Sequence, residues 1–234
     1  MENIIVKIGG SLLISKHDKF NLDLIQDFSR ILTRKYKYQV LTVVCGGGMI
    51  ARDYINAMRY FNANESLCDL FGIEISRLNA RLIITALGNH AYPVVPKTMS
   101  ELARALLHEK IIVMGGLQPG QSTTSVALEV AEFCDVNKLI ILTDVPGIYT
   151  SDPKKDPSAK LIENLNYKQL EEMILKNTDN KQANAGEYRI FDAVSLQILK
   201  RSHINIIITS GKDLSEFEKF LKGESKIRGT FINQ

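Results

Sequence analysis

Three glycine-rich segments of this 234-residue chain have the composition of phosphate-binding loops. The first contains Gly9-Gly10 and follows Lys7, the second is Gly46-Gly47-Gly48 with Arg52 four residues later, and the third runs from Gly115 to Thr123. Each follows an apolar stretch and precedes one with helical character. Glycines let a backbone approach phosphate oxygens, and the N–H groups at a helix N-terminus attract anions. Three such segments, two of them with a basic residue, predict more than one phosphate-bearing ligand.

Lys7 and Arg52 are the candidate cations of this site. Lys7 lies at the end of a predicted strand, and ligands of open α/β sheets bind beyond the carboxyl ends of strands. Arg52 lies one helical turn after Gly48, where its guanidinium can form two hydrogen bonds with a phosphate. Three consecutive glycines are costly for a single turn, so we interpret them as allowing close approach of a ligand. The alternative is that both cations are ordinary solvated residues.

Other polar residues could bind the uncharged parts of a nucleotide. Asp69 lies in an apolar stretch and could accept hydrogen bonds from a ribose diol, although a helix cap or an internal salt bridge would also explain it. The residues from Gln118 to Thr124 suit either a nucleobase edge or a turn that caps a helix. After Thr143-Asp144, a turn-rich segment contains Tyr149, Asp152 and Lys154, which could hold adenine, ribose and phosphate or simply form turns.

The sequence contains no candidate Ser–His–Asp or Cys–His nucleophile, because its four histidines lie outside the glycine segments. This pattern is compatible with direct phosphoryl transfer, which needs no protein nucleophile. The GxxxxGK[ST] motif is absent, which excludes a P-loop kinase, and no GxGxxG follows the first strand, which argues against a Rossmann dehydrogenase.

Composition narrows the class of protein further. The net charge of +3 is too small to favour a nucleic-acid partner. The three cysteines are widely spaced and histidine is scarce, so neither a disulfide framework nor a zinc site is expected. No apolar run reaches the roughly 18 residues of a membrane span, and the chain enters a strand without a leader-like segment. We therefore expect a cytoplasmic protein without a membrane or nucleic-acid partner.

Strands and helices alternate along the chain. Apolar runs predict strands at 3–8, 40–45, 110–114, 139–142 and 205–209, with weaker signals at 93–95, 145–149, 160–162 and, as a final edge strand, 229–232. Apolar periodicity predicts helices at 21–36, 49–61, 66–87, 100–108 (with Ser100 as N-cap), 122–134, 168–175, 191–202 and 214–221. The alternation predicts an α/β fold with a mostly parallel sheet covered by helices on both faces. No linker or repeat divides it, so we expect a single domain over 1–234.

On these motifs the sequence resembles the amino acid kinase superfamily and, within it, the archaeal type of uridylate (UMP) kinase. The resemblance covers essentially the whole chain. Its markers are residues 7–11, Gly46-Gly47-Gly48 with Ala51-Arg52, Asp69 with Gly72-Ile73, residues 77–80, 115–123 and 143–149, Asp152-Pro153, and Ala185-Gly186 before Asp192. The Gly-Gly-x-x-Pro-Gly-x-Ser-Thr segment at 115–123 is typical of the archaeal type.

The resemblance implies a three-layer αβα sandwich that assembles as a homohexamer and transfers the γ-phosphate of ATP to UMP with Mg²⁺. About 1–135 would hold the phosphate acceptor and about 136–234 the ATP. Lys7 would be catalytic and would neutralise charge between the nucleotides. The residues implied for UMP are Gly47, Arg52, Asp69, Leu117, Gln118, Pro119, Gly120, Gln121, Ser122 and Thr123. Those implied for ATP are Gly10, Ser11, Gly48, Arg52, Thr143, Asp144, Tyr149 and Asp152. No protein ligands are predicted for the metal.

Two other classes of function stay open. An enzyme of the same fold could phosphorylate isopentenyl phosphate, carbamate or an acylated amino acid. The polar 117–123 segment argues against an isoprenoid, and Arg52 favours an acceptor that already carries phosphate. A non-catalytic nucleotide- or anion-binding protein is the third possibility, against which Lys7 and Asp152 argue.

Overall fold

A computed structural model describes residues 2–14, 20–151, 153, 156–176 and 190–234 of the chain. Residues 175 and 176 are described by their backbone alone. The strands in this part are β1 (Glu2–Ile8), β2 (Tyr38–Cys45), β3 (Ile112–Met114), β4 (Lys138–Thr143), β5 (Asn164–Asn166), β6 (Asn205–Ser210) and β7 (Thr230–Asn233). The helices are α1 (Gly10–Leu13), α2 (Leu22–Leu32), α3 (Gly48–Tyr60), α4 (Glu65–Leu87), α5 (Met99–Ala105), α6 (Thr123–Phe133), α7 (Tyr167–Lys176), α8 (Ala193–Ser202) and α9 (Ser215–Lys222). A 3₁₀ turn spans Gly88–His90.

The strands form one sheet in the order β3-β2-β1-β4-β6-β7-β5. β1 pairs in parallel with both β2 and β4, so the chain reverses its direction of winding beside β1. β7 runs antiparallel to β6, and β5 runs parallel to β7. This mostly parallel sheet has its switch point at the carboxyl end of β1, which is where ligands of such sheets bind.

Two apolar cores cover the two faces of the sheet, and the predicted αβα sandwich is therefore confirmed. Buried side chains of α1, α2, α4 and α9 pack on one face, around Phe28 and Phe217, whose ring centroids lie 5.7 Å apart. Buried side chains of α5, α6, α7 and α8 pack on the other. Strands β1 and β4 contribute to both cores because their faces alternate along the chain, as expected of strands buried on both sides. In the described part of the chain, no helix has both the length and the apolarity needed to span a membrane.

Side-chain caps define several of the helix starts. The side chains of Asn21 and Ser122 accept hydrogen bonds from backbone N–H groups in the first turns of α2 and α6. The predicted cap at Ser100 is wrong by two residues. Thr98 accepts from the N–H of Glu101, and the Glu101 carboxylate accepts from the N–H of Lys97, so this reciprocal pair starts α5 earlier.

The weaker strand predictions are only partly correct. Residues 93–95 form no strand, and the neighbouring Ala91 makes only an isolated bridge to Ile111. The predicted strands at 145–149 and 160–162 reduce to one antiparallel bridge between Tyr149 and Leu161. The last strand, β7, lies inside the sheet rather than at its edge, because the unpredicted β5 pairs with its outer side.

Candidate active site

A cleft of about 220 Å³ opens at the carboxyl ends of β1, β2 and β4. It brings together residues predicted from distant parts of the sequence. Those that line it are Lys7, Gly10, Ser11, Gly47, Gly48, Arg52, Asp69, Gln121, Ser122, Thr123 and Thr143. Candidate acceptor and donor residues therefore share one cavity, which is the arrangement that direct transfer between two bound ligands needs.

The glycines of the first two loops pack against each other. A Cβ atom at Gly10 would lie 2.3 Å from the backbone nitrogen of Gly48 and 2.5 Å from the carbonyl oxygen of Gly46. A Cβ atom at Gly48, whose φ is +74°, would lie 2.6 Å from the carbonyl carbon of Gly10. The interpretation that these glycines serve ligand approach alone is therefore incomplete, because Gly10, Gly46 and Gly48 are required for contact between the loops.

Lys7 lies half-buried at the end of β1. Burial lowers the pKa of Lys7 to about 8, and the nearby Asp144 carboxylate opposes this shift only in part. Within the described residues, its ammonium group makes no hydrogen bond or ion pair. A lysine in this state gains most from an anionic ligand, because a phosphate would restore the solvation that burial removes.

Arg52 and the start of α3 form the second positive element of the cleft. The N-cap residue Gly47 has no side chain to cap the helix, so backbone N–H groups at this helix start lack a side-chain acceptor. Among the described residues, the Arg52 guanidinium donates one hydrogen bond, to the carbonyl oxygen of Gly48 at 3.4 Å, and makes no ion pair. The dipole of α3 and the guanidinium of Arg52 thus both favour an anion bound in the cleft.

Asp69 and the 115–123 loop also contribute to the lining of the cleft. One carboxylate oxygen of Asp69 accepts the backbone N–H of Gly120 at 2.8 Å, so Asp69 fixes this loop as well as lining the cavity. The Nε2 of Gln121 donates to Glu129 at 3.2 Å, and its buried Oε1 has no hydrogen-bond partner among the described residues. Ser122 caps α6 by accepting the N–H of Ser125 at 3.1 Å.

Helix α4 holds the loops of the cleft through three residues that sequence reasoning assigned no role. The buried Asn79 amide donates to the carbonyl oxygens of Gly46 at 2.7 Å and Gly47 at 3.3 Å. Arg77 donates to the carbonyl oxygens of Gly116 and Leu117 at 3.1 and 3.2 Å. The Ser76 hydroxyl accepts the N–H of Gly116 at 2.7 Å. A polar amide between Leu78 and the buried Ala80 was the one local signal that could have identified Asn79.

Other predicted residues do not line the cleft. Leu117, Gln118, Pro119 and Gly120 of the third loop, and Asp144 and Tyr149, are not among the residues that line it. Asp144 still acts on the charge of Lys7. The predictions for Asp152 and Lys154, and the Ala185-Gly186 marker of the resemblance, lie outside the described residues.

The described residues contain no cluster of three His, Cys, Asp or Glu side chains that could enclose a metal ion. The cleft itself contributes a single carboxylate, Asp69, to its lining. A hard cation such as Mg²⁺ keeps several waters and often binds through substrate phosphates. The metal-ligating side chains of the described cleft lining therefore fit a metal ion that binds together with a nucleotide. They do not fit one that is enclosed by protein ligands alone.

Comparison with known proteins gives a consistent result. Residues 2–210 match the model of the amino acid kinase family. A uridylate kinase of Methanobrevibacter smithii is 40% identical over 223 residues, 94% of this chain and 95% of that protein. One of Thermofilum pendens is 39% identical over 232 residues, 97% of this chain and 96% of that protein. The crystal structure of uridylate kinase from Archaeoglobus fulgidus has a TM-score of 0.78 and 32% identity, and the match covers 99% of this chain and 100% of that one.

Proposed function

We propose that this chain, which belongs to the amino acid kinase family, is a uridylate kinase that transfers the γ-phosphoryl group of ATP to UMP and gives UDP and ADP. The resemblance seen in the sequence is confirmed at the level of the family, and uridylate kinases of similar length match nearly the whole chain. The structural observation that carries the proposal is the convergence of Lys7, Arg52 and the uncapped start of α3 on one cleft.

In this proposal the two nucleotides enter from opposite sides. Gly47 and Arg52 hold the UMP phosphate, Asp69 holds its ribose, and the 117–123 loop surrounds uracil. Gly10, Ser11, Gly48 and Thr143 face the phosphates of ATP. Tyr149, Asp144 and Asp152 complete the ATP site. The acceptor residues thus all lie before about residue 135, while the ATP site combines residues from about 136 onward with the glycine loops of the first half.

Catalysis would then depend on position and charge. In the transition state the transferred phosphoryl group carries negative charge on its equatorial oxygens, and the acceptor phosphate is itself an anion. Lys7 is near the carboxyl end of β1 and lines the cleft together with both glycine loops, so its ammonium group can offset the charge that accumulates between the nucleotides. The rigid contact between the loops at Gly10 and Gly48 keeps the two phosphates at a fixed separation.

The proposal includes Mg²⁺ bound to ATP. When bound, it would neutralise phosphate charge, with ligands from phosphate oxygens and water. The chain's own cations, Lys7 and Arg52, would then share the remaining negative charge of the two nucleotides.

The proposal includes a homo-oligomer, which the family resemblance specifies as a hexamer. Tyr54 on α3 and Leu70, Phe71 and Leu78 on α4 are exposed large apolar side chains of adjacent helices. Burial of such a surface between copies would stabilise an assembly. The native mass in solution, measured by light scattering, would be six times 26.3 kDa for a hexamer.

A panel of phosphate acceptors tests the function. ADP release from ATP·Mg²⁺ is measured with UMP, CMP, dUMP, AMP, GMP, isopentenyl phosphate, carbamate and an acylated amino acid offered separately. Efficient turnover with UMP is expected. Turnover with isopentenyl phosphate or an unphosphorylated acceptor instead of UMP would support a kinase activity but refute UMP as the acceptor. Nucleotide binding without any turnover would favour a non-catalytic binding protein.

A further inference from the structure

One partly buried carboxylate joins the first turns of two helices from different halves of the chain. Asp192 accepts the backbone N–H of Ser122 at 3.1 Å and the hydroxyl of Ser125 at 2.6 Å, both at the start of α6. It also accepts the backbone N–H and the hydroxyl of Ser195, at 2.7 and 2.9 Å, at the start of α8. The hydroxyls of Ser125 and Ser195 lie 2.9 Å from each other and close the network.

This network is partly buried and holds a charged group. Ser125 and Ser195 have no exposed surface. Burial acts to raise the pKa of Asp192, but the hydrogen bonds from Ser125, Ser122 and Ser195 outweigh it, and the pKa is lowered. The carboxylate lies at two helix N-termini, whose dipoles also favour a negative charge. Hydrogen bonds to an ionised acceptor are stronger than neutral ones, so the link between the helices is firm.

The network lies directly behind the cleft. Ser122, the N-cap of α6, lines the cleft, and its backbone N–H is held by Asp192. Ile190, two residues before Asp192, lines the cleft from the other half of the chain. The same carboxylate therefore fixes the end of the 115–123 loop and anchors the segment that contributes Ile190.

We infer that Asp192 is a positioning residue that holds the acceptor-binding loop in its binding conformation by tying α6 to α8. Asp192 does not line the cleft, so it acts through Ser122 rather than by contact with a nucleotide. The inference rests on the proposed function where it concerns UMP, and on the structure alone where it concerns the loop. Loss of the carboxylate should weaken binding of the acceptor more than it slows the transfer step.

The far ends of the same two helices provide a matched control. Glu132 on α6 accepts hydrogen bonds from Arg201 and Ser202 at the end of α8. This link is also a carboxylate with several donors between α6 and α8, but Glu132 lies more than two turns from Ser122 and does not line the cleft. Glu132→Gln thus weakens the packing of the same helix pair without touching the loop.

The first experiment measures hydrogen exchange of residues 117–126 without nucleotides in the wild type, Asp192→Asn and Glu132→Gln. Asp192→Asn is expected to increase exchange in this segment by about tenfold, because the N–H of Ser122 loses a charged acceptor. Glu132→Gln should leave it unchanged. Equal exchange in wild type and Asp192→Asn, or an equal increase in both variants, would overturn the inference.

The second experiment measures kinetics with UMP and ATP. Asp192→Asn is expected to raise KM for UMP about tenfold while kcat changes less than threefold, since binding rather than transfer depends on the loop. Glu132→Gln should retain the wild-type KM. A KM for UMP within twofold of wild type in Asp192→Asn would contradict the inference. Should Asp192→Asn not fold, Ser125→Ala replaces it in both experiments, with smaller changes in the same direction.

The two experiments separate the inference from the proposed function. A wild-type protein without UMP turnover would refute the uridylate kinase assignment, and the exchange data would then decide the role of Asp192 by themselves. Turnover with UMP combined with unaltered exchange in Asp192→Asn would refute the role of Asp192 and leave the assignment intact.

Discussion

Substitution of Gly10 by alanine tests the claim that contact between the two glycine loops sets the geometry of the cleft. The new Cβ would lie 2.3 Å from the nitrogen of Gly48, 2.5 Å from the oxygen of Gly46 and 2.6 Å from the carbonyl carbon of Gly47. All three are backbone atoms, which cannot rotate away as a side chain can. An ordinary contact begins near 3.4 Å, so the loops must separate by about 1 Å.

The consequence for activity follows from that displacement. A misplacement of about 1 Å between reacting groups costs on the order of 100-fold in rate, so kcat/KM for the two nucleotides should fall by about that factor. Overpacking of a tight site costs about 1–3 kcal/mol, and we expect the upper end here because backbone atoms are involved. Steady-state kinetics and denaturant unfolding measure the two effects on the same preparations.

Gly88→Ala is the matched control for Gly10→Ala. Gly88 ends α4 with a φ of +55°, has no atom within 4 Å of a Cβ position and does not line the cleft. Alanine there should also cost about 1–3 kcal/mol through backbone strain, but it should leave kcat/KM unchanged. Wild-type kcat/KM in Gly10→Ala, or an equal fall in both variants, would refute the role of the loop contact.

Three further predictions concern single side chains of the cleft. Arg52→Ala should raise KM for UMP about 100-fold with little change in KM for ATP. The control is Arg59→Ala, which removes a partly exposed ion-pair partner of Glu65 on the same helix. An unchanged KM for UMP in Arg52→Ala would remove Arg52 from the acceptor site. Because the pKa of Lys7 is lowered to about 8, kcat/KM should fall as pH rises through about 8, where the free enzyme loses the ammonium proton. The same fall in Lys7→Arg, which stays charged, would show that another group titrates. Asn79→Ala should lower the free energy of unfolding by about 1–3 kcal/mol, because the carbonyl oxygens of Gly46 and Gly47 lose their donor; urea unfolding with the wild-type midpoint would contradict it.

The central strands could be predicted because their apolar runs are unbroken. The central parts of β1, β2, β4 and β6 are buried on both faces. Burial on both sides therefore explains the apolar runs that identify these strands in the sequence. β5 could not be predicted in this way. It has three residues, of which only Leu165 is buried, and it pairs with a strand more than sixty residues later. A short edge strand depends on its partner, and no local pattern identifies that partner.

The residues of the cleft divide in the same way. Some can be recognised from their neighbours in the sequence, and others depend on contacts between distant parts of the chain. Lys7 and Arg52 could be identified because each lies next to a glycine turn in the sequence. Asn79 and Asp192 belong to markers of the resemblance, but their roles could not be derived. Each bonds to a loop or helix 32 to 70 residues away, and these hydrogen bonds exist only after folding. The glycines were correctly linked to the cleft, yet their packing against each other depends on two loops that are 36 residues apart.

The most direct test of the central claim is to follow ³¹P NMR spectra of ATP·Mg²⁺ with UMP and the wild-type protein. The proposal predicts that UDP and ADP appear together in equal amounts as ATP and UMP disappear, and that neither product forms without the protein. ADP that appears together with inorganic phosphate, while UMP stays intact, would contradict transfer to UMP.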